Sequence, residues 1–165
     1  MPGTRRQIPS SVNSFIGRET EKAALLQMLG QGSGARLVTV TGAGGVGKTR
    51  LVLEVLRGLD DQFADGIWIV KLATLRTGSE IAPRIAAVLG VEANVAEETL
   101  EVLIKFIAAR EMLLVLDNCE HLTDELAVVV NTLLLQTTRL RVLCTSREAI
   151  HLPGEYRVTI QPMET

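Results

Sequence analysis

Short apolar runs alternate along the chain with segments in which apolar residues recur every three or four positions. The apolar runs predict five β-strands, at residues 37–41, 67–70, 112–116, 140–144 and 156–160. The helical spacing predicts five helices, at residues 19–29, 52–59, 81–89, 100–107 and 122–134. Because helices join parallel strands in right-handed crossovers, this alternation predicts a three-layer α/β sandwich around a mostly parallel sheet.

Local signals predict where several elements lie and end. The run at 112–116 has no polar alternation, which is typical of a strand covered on both faces. The run at 156–160 alternates and is expected at an edge of the sheet. Ser79 is expected to cap the start of the helix at 81–89, and Gly90 is expected to follow its end.

The composition fits one folded domain. The chain has 165 residues, of which 47% are hydrophobic and 22% charged, and this excludes intrinsic disorder. A net charge of -2 and an aromatic content of 3% give no footprint for nucleic acid. No apolar run approaches the ~18 residues of a membrane span. We therefore expect a single domain over residues 1–165, with 1–14 as an extended lead-in, that binds neither nucleic acid nor membrane.

The cysteines and the amino-terminal residues bear on the location of the protein. Cys119 and Cys144 are too few and too far apart in sequence for a disulfide framework or a zinc site. Both are therefore expected to be reduced core residues. Arg5 and Arg6 are followed by no apolar segment of the kind that an export signal needs. The sequence predicts a cytoplasmic protein.

A glycine-rich segment follows the first predicted strand and runs directly into a helix. It fits the phosphate-loop pattern G-x-x-x-x-G-K-[ST] with Gly42, Ala43, Gly44, Gly45, Val46, Gly47, Lys48 and Thr49. In such a loop the backbone N–H groups surround phosphate oxygens, the lysine reaches the β and γ phosphates, and the hydroxyl ligates Mg²⁺. The segment predicts a nucleotide site, and a plain glycine-rich turn is the alternative. Arg50 is counted with the binding candidates, although its side chain is expected in solvent.

Acidic and amide residues follow the third predicted strand. Asp117 comes directly after four apolar residues and is the candidate for holding the Mg²⁺ water shell, with capping of the next helix as its alternative role. Asn118 follows, and an amide cannot take a proton from water. Glu120 is the nearby carboxylate that could polarise an attacking water, or else it is an acid at the start of a helix. His121 is expected to be a solvated loop residue rather than a base.

The fourth predicted strand ends in Thr145, Ser146 and Arg147, at the sheet edge where open α/β folds bind ligands. Arg147 is therefore a candidate contact for the γ-phosphate, and pairing with Glu148 or Glu155 is the alternative. The candidate metal ligands are Thr49 and Asp117. The candidate catalytic residues are Lys48, Asp117, Glu120 and Arg147.

Four strings carry a family resemblance, in this order along the chain: SFIGRE at 14–19, VTVTG at 38–42, LDNCEH at 116–121 and CTSRE at 144–148. They resemble the nucleotide-binding core of the signal-transduction ATPases with numerous domains, near the NB-ARC group. The likeness is to the ATPase region of large bacterial transcriptional regulators of the LuxR-like and antibiotic-regulator types. It covers almost the whole chain.

The resemblance implies a P-loop NTPase sheet of order 5-1-4-3-2 and a site for ATP or ADP with Mg²⁺. It implies that Arg147 senses the γ-phosphate. It also implies contacts to the adenine and ribose from a short segment made of Phe15, Ile16, Gly17 and Arg18. Asn118 stands where the family usually has a second acid, so hydrolysis is expected to be slow. The chain ends before the helical lid and winged helix of the family, so the domain is expected to belong to a longer protein.

The expected function is a nucleotide-dependent switch. Binding of ATP or ADP and slow hydrolysis would set the state of effector domains on the same chain, with a lid and a nucleotide-dependent oligomer as further partners. One alternative is a non-catalytic interaction module that holds ADP. Another is a small-molecule kinase, for which no arginine-rich lid is evident in residues 117–165. A GTPase is disfavoured because the Asn-Lys-x-Asp string that reads guanine is absent.

Overall fold

The computed structural model of the protein describes residues 18–30, 32–93 and 96–162. Its helices are α1 Glu19–Leu29, α2 Lys48–Gly58, α3 Ile81–Leu89, α4 Ala96–Ile107 and α5 Thr123–Gln136, and a short 3-10 turn, Gly78–Glu80, precedes α3. Its strands are β1 Leu37–Thr41, β2 Ile67–Lys71, β3 Leu113–Asp117, β4 Arg141–Ser146 and β5 Glu155–Thr159. The predicted succession of elements is confirmed. The predicted lead-in at 1–14 lies outside the described residues.

The strands form one sheet of order β2-β3-β4-β1-β5, and every neighbouring pair is parallel. This is the implied order 5-1-4-3-2 read from the other edge. It places β5 at an edge, as its alternating pattern predicted. β4 lies between β1 and β3, with Thr41 beside Ser146 and Leu116 beside Cys144. The carboxyl ends of these three strands therefore meet at one edge of the sheet.

Helices cover both faces of the sheet, because alternate residues of a strand point to opposite sides. On one face, Val38 and Val40 of β1 belong to a core that includes Leu51 of α2 and Leu25 of α1. On the other face, residues such as Leu116 pack in a second core with α3, α4 and α5. Both cores are buried, and the predicted three-layer sandwich is confirmed.

The start of α3 differs from the sequence prediction. Ser79 was expected as the cap, but it lies inside the 3-10 turn, and Thr77 and Glu80 cap that turn instead. The Glu80 carboxylate accepts the backbone N–H groups of Arg76 at 2.6 Å and Thr77 at 3.2 Å. These hydrogen bonds hold the pKa of Glu80 below its usual value. At the other end of α3, Gly90 adopts a φ of 73° and ends the helix, as predicted.

Two arginines bind the carboxyl ends of two helices at the amino edge of the sheet. Arg141 donates hydrogen bonds to the carbonyl oxygens of Leu29 at 2.9 Å and Gly30 at 2.7 Å, at the end of α1. Arg36 donates to the carbonyl oxygen of Leu134 at 2.8 Å, near the end of α5. Burial and the neighbouring Arg141 charge lower the pKa of Arg36. The two guanidinium groups satisfy carbonyls that have no partner within their own helix.

Glu155 is a buried carboxylate that joins β5 to β1 and to the loop after β4. Its side chain is 1% exposed, and Oε2 accepts the Thr39 hydroxyl at 2.6 Å and the backbone N–H of Ile150 at 2.9 Å. Oε1 accepts the backbone N–H of His151 at 3.2 Å and pairs with Arg157 at 3.3 Å. Burial alone would raise the pKa of Glu155, but these hydrogen bonds outweigh it and the pKa is lowered.

Glu155→Gln is expected to lower the free energy of unfolding at pH 7 by ~1–3 kcal/mol. Both carboxylate oxygens of Glu155 accept hydrogen bonds, so the NH₂ group of a glutamine would face another donor. The folded-state pKa of Glu155 lies below its unfolded value, so its stabilising effect is present above about pH 4.3 and is lost as the pH falls through the folded-state pKa. In urea unfolding, the difference in free energy of unfolding between the variant and wild type should be smaller at pH 3 than at pH 7. Glu148→Gln, at an exposed position nearby, is the control.

Two smaller observations concern membrane crossing and the cysteines. In the part of the chain that the structure describes, no helix is both long and apolar enough to cross a membrane. Cys119 and Cys144 are free and buried, which confirms their expected place in the core. Contact with Cys144 and burial raise the pKa of the Cys119 thiol well above its usual value. This thiol is therefore protonated and poorly nucleophilic near neutral pH.

Candidate functional site

The glycine-rich loop connects β1 to α2 at the carboxyl edge of the sheet. Gly45 and Gly47 have φ values of 78° and 96°, in the left-handed region that glycine adopts without strain. Gly47 is the cap position of α2, and no side chain caps the helix there. The first backbone N–H groups of α2 therefore retain their capacity to bind an anion, and the helix dipole favours one.

Lys48 lies across the loop. Its residue is only 8% exposed, and Nζ donates to the carbonyl oxygens of Gly42 at 2.7 Å and Ala43 at 3.1 Å. A lysine ammonium has three N–H donors and no acceptor. Two donors of Lys48 bind these loop carbonyls, and the third can bind a further acceptor. A phosphate placed in the loop would be within the reach of the same ammonium group.

A hydroxyl and a carboxylate meet beside the loop. Thr49 Oγ1 donates to Asp117 Oδ1 at 3.0 Å, joining the start of α2 to the end of β3. Thr145 at the end of β4 donates to the same Oδ1 at 2.7 Å. The predicted metal ligands Thr49 and Asp117 are thus brought together, and their oxygen atoms are of the kind that Mg²⁺ prefers. The Thr145 contact was not predicted, although the hydroxyl group was recognised at this edge.

Asn118, Glu120 and Arg147 form a polar group next to the loop. Asn118 follows β3 with a φ of 68°. With its amide nitrogen facing Glu120, as the hydrogen-bond network requires, Nδ2 donates to Glu120 Oε1 at 2.8 Å. Glu120 also pairs with Arg147 Nε at 3.9 Å. The Arg147 side chain is 68% exposed and lies against the loop, where a Cβ on Gly44 would be 3.0 Å from Nη2.

Arg18 contacts the loop from the amino-terminal side. Its Nη2 donates to the Val46 carbonyl oxygen at 2.9 Å, and its side chain, 7% exposed, lies near Glu21 at 3.9 Å. The other members of the predicted adenine segment, Phe15, Ile16 and Gly17, lie outside the described residues. Of these four residues, the structure therefore brings Arg18 to the glycine-rich loop.

Two further residues from the sequence prediction lie at the margin of the site. Arg50 is exposed in the first turn of α2, one residue beyond Thr49. His121 is exposed and its Nε2 hydrogen-bonds to the Leu75 carbonyl oxygen at 2.8 Å, so it joins two loops. Its imidazole is engaged away from the phosphate loop.

A cavity of about 400 Å³ opens beside the Thr49 and Asp117 pair. Its walls are mainly apolar side chains of α2, β2 and β3, with Lys71 and Arg84 among its polar residues. Arg84 of α3 donates to the Lys71 carbonyl oxygen at 2.8 Å, at the end of the edge strand β2. A small molecule in this cavity would lie next to the loop.

A parallel sheet of this order, with a glycine loop leading into α2 and an acid at the end of β3, defines a P-loop NTPase. The chain belongs to the NB-ARC family, whose domain matches residues 18–159. The family resemblance carried by the four sequence strings is thus confirmed. The match begins at Arg18 and ends at the last residue of β5, so it covers the whole sheet.

Two relatives of the chain come from Mycobacterium tuberculosis. One is 36% identical over 160 residues, covering 97% of this chain and 39% of the relative, and is named only as an uncharacterized protein. Another, named "Putative HTH-type transcriptional regulator", is 42% identical over 120 residues, covering 73% of this chain and 13% of the relative. The chain therefore spans well under half the length of these curated relatives.

Solved structures share the fold. The Orc1 protein of Aeropyrum pernix, solved in complex with DNA, has a TM-score of 0.72 at 21% identity, over 92% of this chain and 47% of that one. A signal-transduction ATPase with a tetratricopeptide repeat sensor from Pyrococcus horikoshii has a TM-score of 0.64 at 16% identity, over 93% of this chain and 24% of that one. At these identities the likeness concerns the fold.

Proposed function

We propose that this domain is an adenine-nucleotide switch that binds ATP or ADP with Mg²⁺, hydrolyses ATP slowly and regulates effector domains of a longer chain. The observation that carries the proposal is the convergence on one loop of an ammonium, a hydroxyl–carboxylate pair and a guanidinium: Lys48, Thr49, Asp117 and Arg147. Each has the charge or the oxygen donor that a Mg²⁺-bound triphosphate requires.

The residues beside the loop fit Mg²⁺ in particular. Thr49 and Asp117 offer oxygen ligands, and no group of three or more His, Cys, Asp or Glu side chains suited to a metal occurs in the described ranges. This matches a cation held by one carboxylate, a hydroxyl and the phosphates rather than by an all-protein cage. Bound Mg²⁺ would neutralise charge on the β and γ phosphates, while Lys48 would contact the same oxygen atoms.

Slow hydrolysis follows from the environment of the candidate base. The Glu120 carboxylate accepts the Asn118 amide and pairs with Arg147. Both contacts occupy lone pairs of the carboxylate that would otherwise polarise water. Asn118 can orient a water molecule without taking its proton. Lys48 and Arg147 would supply charge stabilisation, but proton removal would depend on Glu120 leaving its partners.

A switch requires that ATP and ADP make different contacts. Arg147 lies over the loop, and within the described part of the chain its ion pair is the long contact to Glu120 at 3.9 Å, so a γ-phosphate can compete with Glu120 for its guanidinium. ADP lacks that group. The exchange of partners would move the segments after β3 and β4. Effector and lid domains on the same chain, and a nucleotide-dependent oligomer, would respond to that change. The regulatory name of one relative supports an output in transcription.

Two alternatives have a specific observation in their favour. The engagement of Glu120 by Asn118 and Arg147 favours a module that holds ADP and does not turn over. The cavity next to Thr49 and Asp117 favours a small-molecule kinase, because an acceptor bound there would lie next to the γ-phosphate. Phosphate release without an added acceptor separates the switch from the kinase, and any turnover separates it from the ADP module.

Calorimetric titration of the wild-type chain with ATP, ADP and GTP, with and without Mg²⁺, tests the proposal. We expect adenine nucleotides to bind more tightly than GTP, and Mg²⁺ to strengthen ATP binding. Phe15→Ala should reduce the ratio of ATP affinity to GTP affinity. Arg18→Ala loses the Val46 contact and should lower the affinities for ATP and GTP by the same factor. Equal affinity for ATP and GTP in the wild-type chain would contradict adenine recognition, and absence of binding would contradict the proposed function.

A further inference from the structure

We propose that Thr145 is a positioning residue for the Mg²⁺-facing carboxylate, a role that rests on the proposed function of the site. Its hydroxyl, at the carboxyl end of β4, fixes Asp117 so that Thr49 keeps its lone pairs free for the cation. Thr145 lies on β4, outside both the glycine loop and the strand that carries the acid.

The direction of each hydrogen bond at Thr145 is determined by its partners. Its Oγ1 lies 2.8 Å from the backbone nitrogen of Asn118, which can only donate. The single hydroxyl hydrogen of Thr145 therefore points to Asp117 Oδ1, 2.7 Å away. The residue is 1% exposed, so water does not compete for either contact. A buried hydroxyl with both a donor and an acceptor satisfied holds one rotamer.

The position of Asp117 then determines the orientation of Thr49. Thr49 Oγ1 donates to the same Oδ1 at 3.0 Å, so its hydrogen points to the carboxylate and its lone pairs point away from it. Within the described ranges, no hydrogen bond reaches the second oxygen, Asp117 Oδ2. One carboxylate oxygen is thus used for positioning, and the other is left for the cation or its water shell.

Thr145 also fixes the turn that follows Asp117. Its hydroxyl accepts the N–H of Asn118, and its carbonyl oxygen accepts the N–H of Cys119 at 2.9 Å. These contacts hold Asn118 at a φ of 68°, which is uncommon for a residue other than glycine. β4 therefore holds both the metal-facing acid and the start of the segment that carries Glu120.

The test measures affinity rather than turnover. The full chain is titrated with the β,γ-imido analogue of ATP in Mg²⁺ and again in EDTA, for wild type, Thr145→Val, Thr145→Ser and Ser146→Ala. Thr145→Val keeps the shape but removes the hydroxyl, and should lose about tenfold in affinity in Mg²⁺ with less than a twofold change in EDTA. Thr145→Ser should restore the wild-type Mg²⁺ dependence. Ser146 is buried and its hydroxyl accepts the backbone N–H of Glu148 at 3.4 Å, with no hydrogen bond to Asp117 in the described residues, so Ser146→Ala should match wild type.

The outcomes separate this inference from the proposed function. If Thr145→Val loses the same factor in affinity in Mg²⁺ and in EDTA, Thr145 has a purely structural role and the inference is overturned. It is also overturned if Mg²⁺ strengthens binding to Thr145→Val as much as it strengthens binding to wild type. If that variant does not fold, Thr145→Cys, whose thiol is a weak donor, replaces it with the same expected result. A wild-type chain that does not bind the analogue would contradict the proposed function itself. A wild-type chain that binds it equally with and without Mg²⁺ would overturn only the role of Thr145.

Discussion

Lys48→Ala is expected to lower the affinity for ADP and ATP by about tenfold to a hundredfold, the loss of one charge-assisted contact worth ~1.5–3 kcal/mol. The ammonium of Lys48 is nearly buried and lies over the carbonyl oxygens of Gly42 and Ala43. No other lysine is placed on the loop in the described residues. The substitution therefore removes the lysine ammonium that the phosphates would contact.

Calorimetry with both nucleotides measures this loss, and thermal unfolding of the same samples tests whether the loop still folds. Lys105→Ala is the matched control, because it removes one positive charge from an exposed position on α4. We expect the control to bind as wild type does. Unchanged affinity in a folded Lys48→Ala chain would mean that phosphate binds elsewhere.

Single-turnover phosphate release is expected to be far below the ~1–10³ s⁻¹ of typical enzymes, and Glu120→Gln should reduce it by a further ~10²-fold if Glu120 is the base. Nucleotide affinity should stay nearly unchanged, because no contact from Glu120 to the loop itself is found in the described residues. Asp117→Asn should instead weaken Mg²⁺-dependent ATP binding and hydrolysis together, since it alters the acceptor of two hydroxyl donors.

Lys48→Ala serves as the control that loses binding. If the Glu120→Gln variant releases phosphate as fast as wild type, Glu120 is not the base, and water oriented by Asn118 remains as the mechanism. A faster Glu120→Gln would instead show that the pair with Arg147 restrains the site.

The layout of the fold could be predicted because its signals are local. Most of the strands are short apolar runs and most of the helices carry apolar residues every three or four positions, and the family resemblance supplied the strand order. The errors are local as well. Ser79 was expected as a cap because it precedes an apolar repeat, yet an earlier threonine, Thr77, caps a 3-10 turn that periodicity does not distinguish from a helix.

The site was predictable only where its residues are close in sequence. The glycine loop follows one strand and Asp117 ends another, so a short motif describes each of them. The contact between Thr145 and Asp117 joins residues 28 apart, and that between Thr39 and Glu155 joins residues 116 apart. Such pairs depend on strand order and register, which a single sequence does not encode in any local pattern. The two arginines that bind helix ends at the amino edge were missed for the same reason.

Backbone amide NMR spectra of the wild-type chain, recorded with and without Mg²⁺ and ADP, locate the nucleotide site. We expect the largest shifts at the amides of residues 42–49, with smaller shifts at Asn118 and Arg147. Arg36 and Arg141, at the opposite edge of the sheet, should not move. Shifts concentrated at that amino edge, or no shifts at saturating nucleotide, would contradict a nucleotide site in the glycine loop.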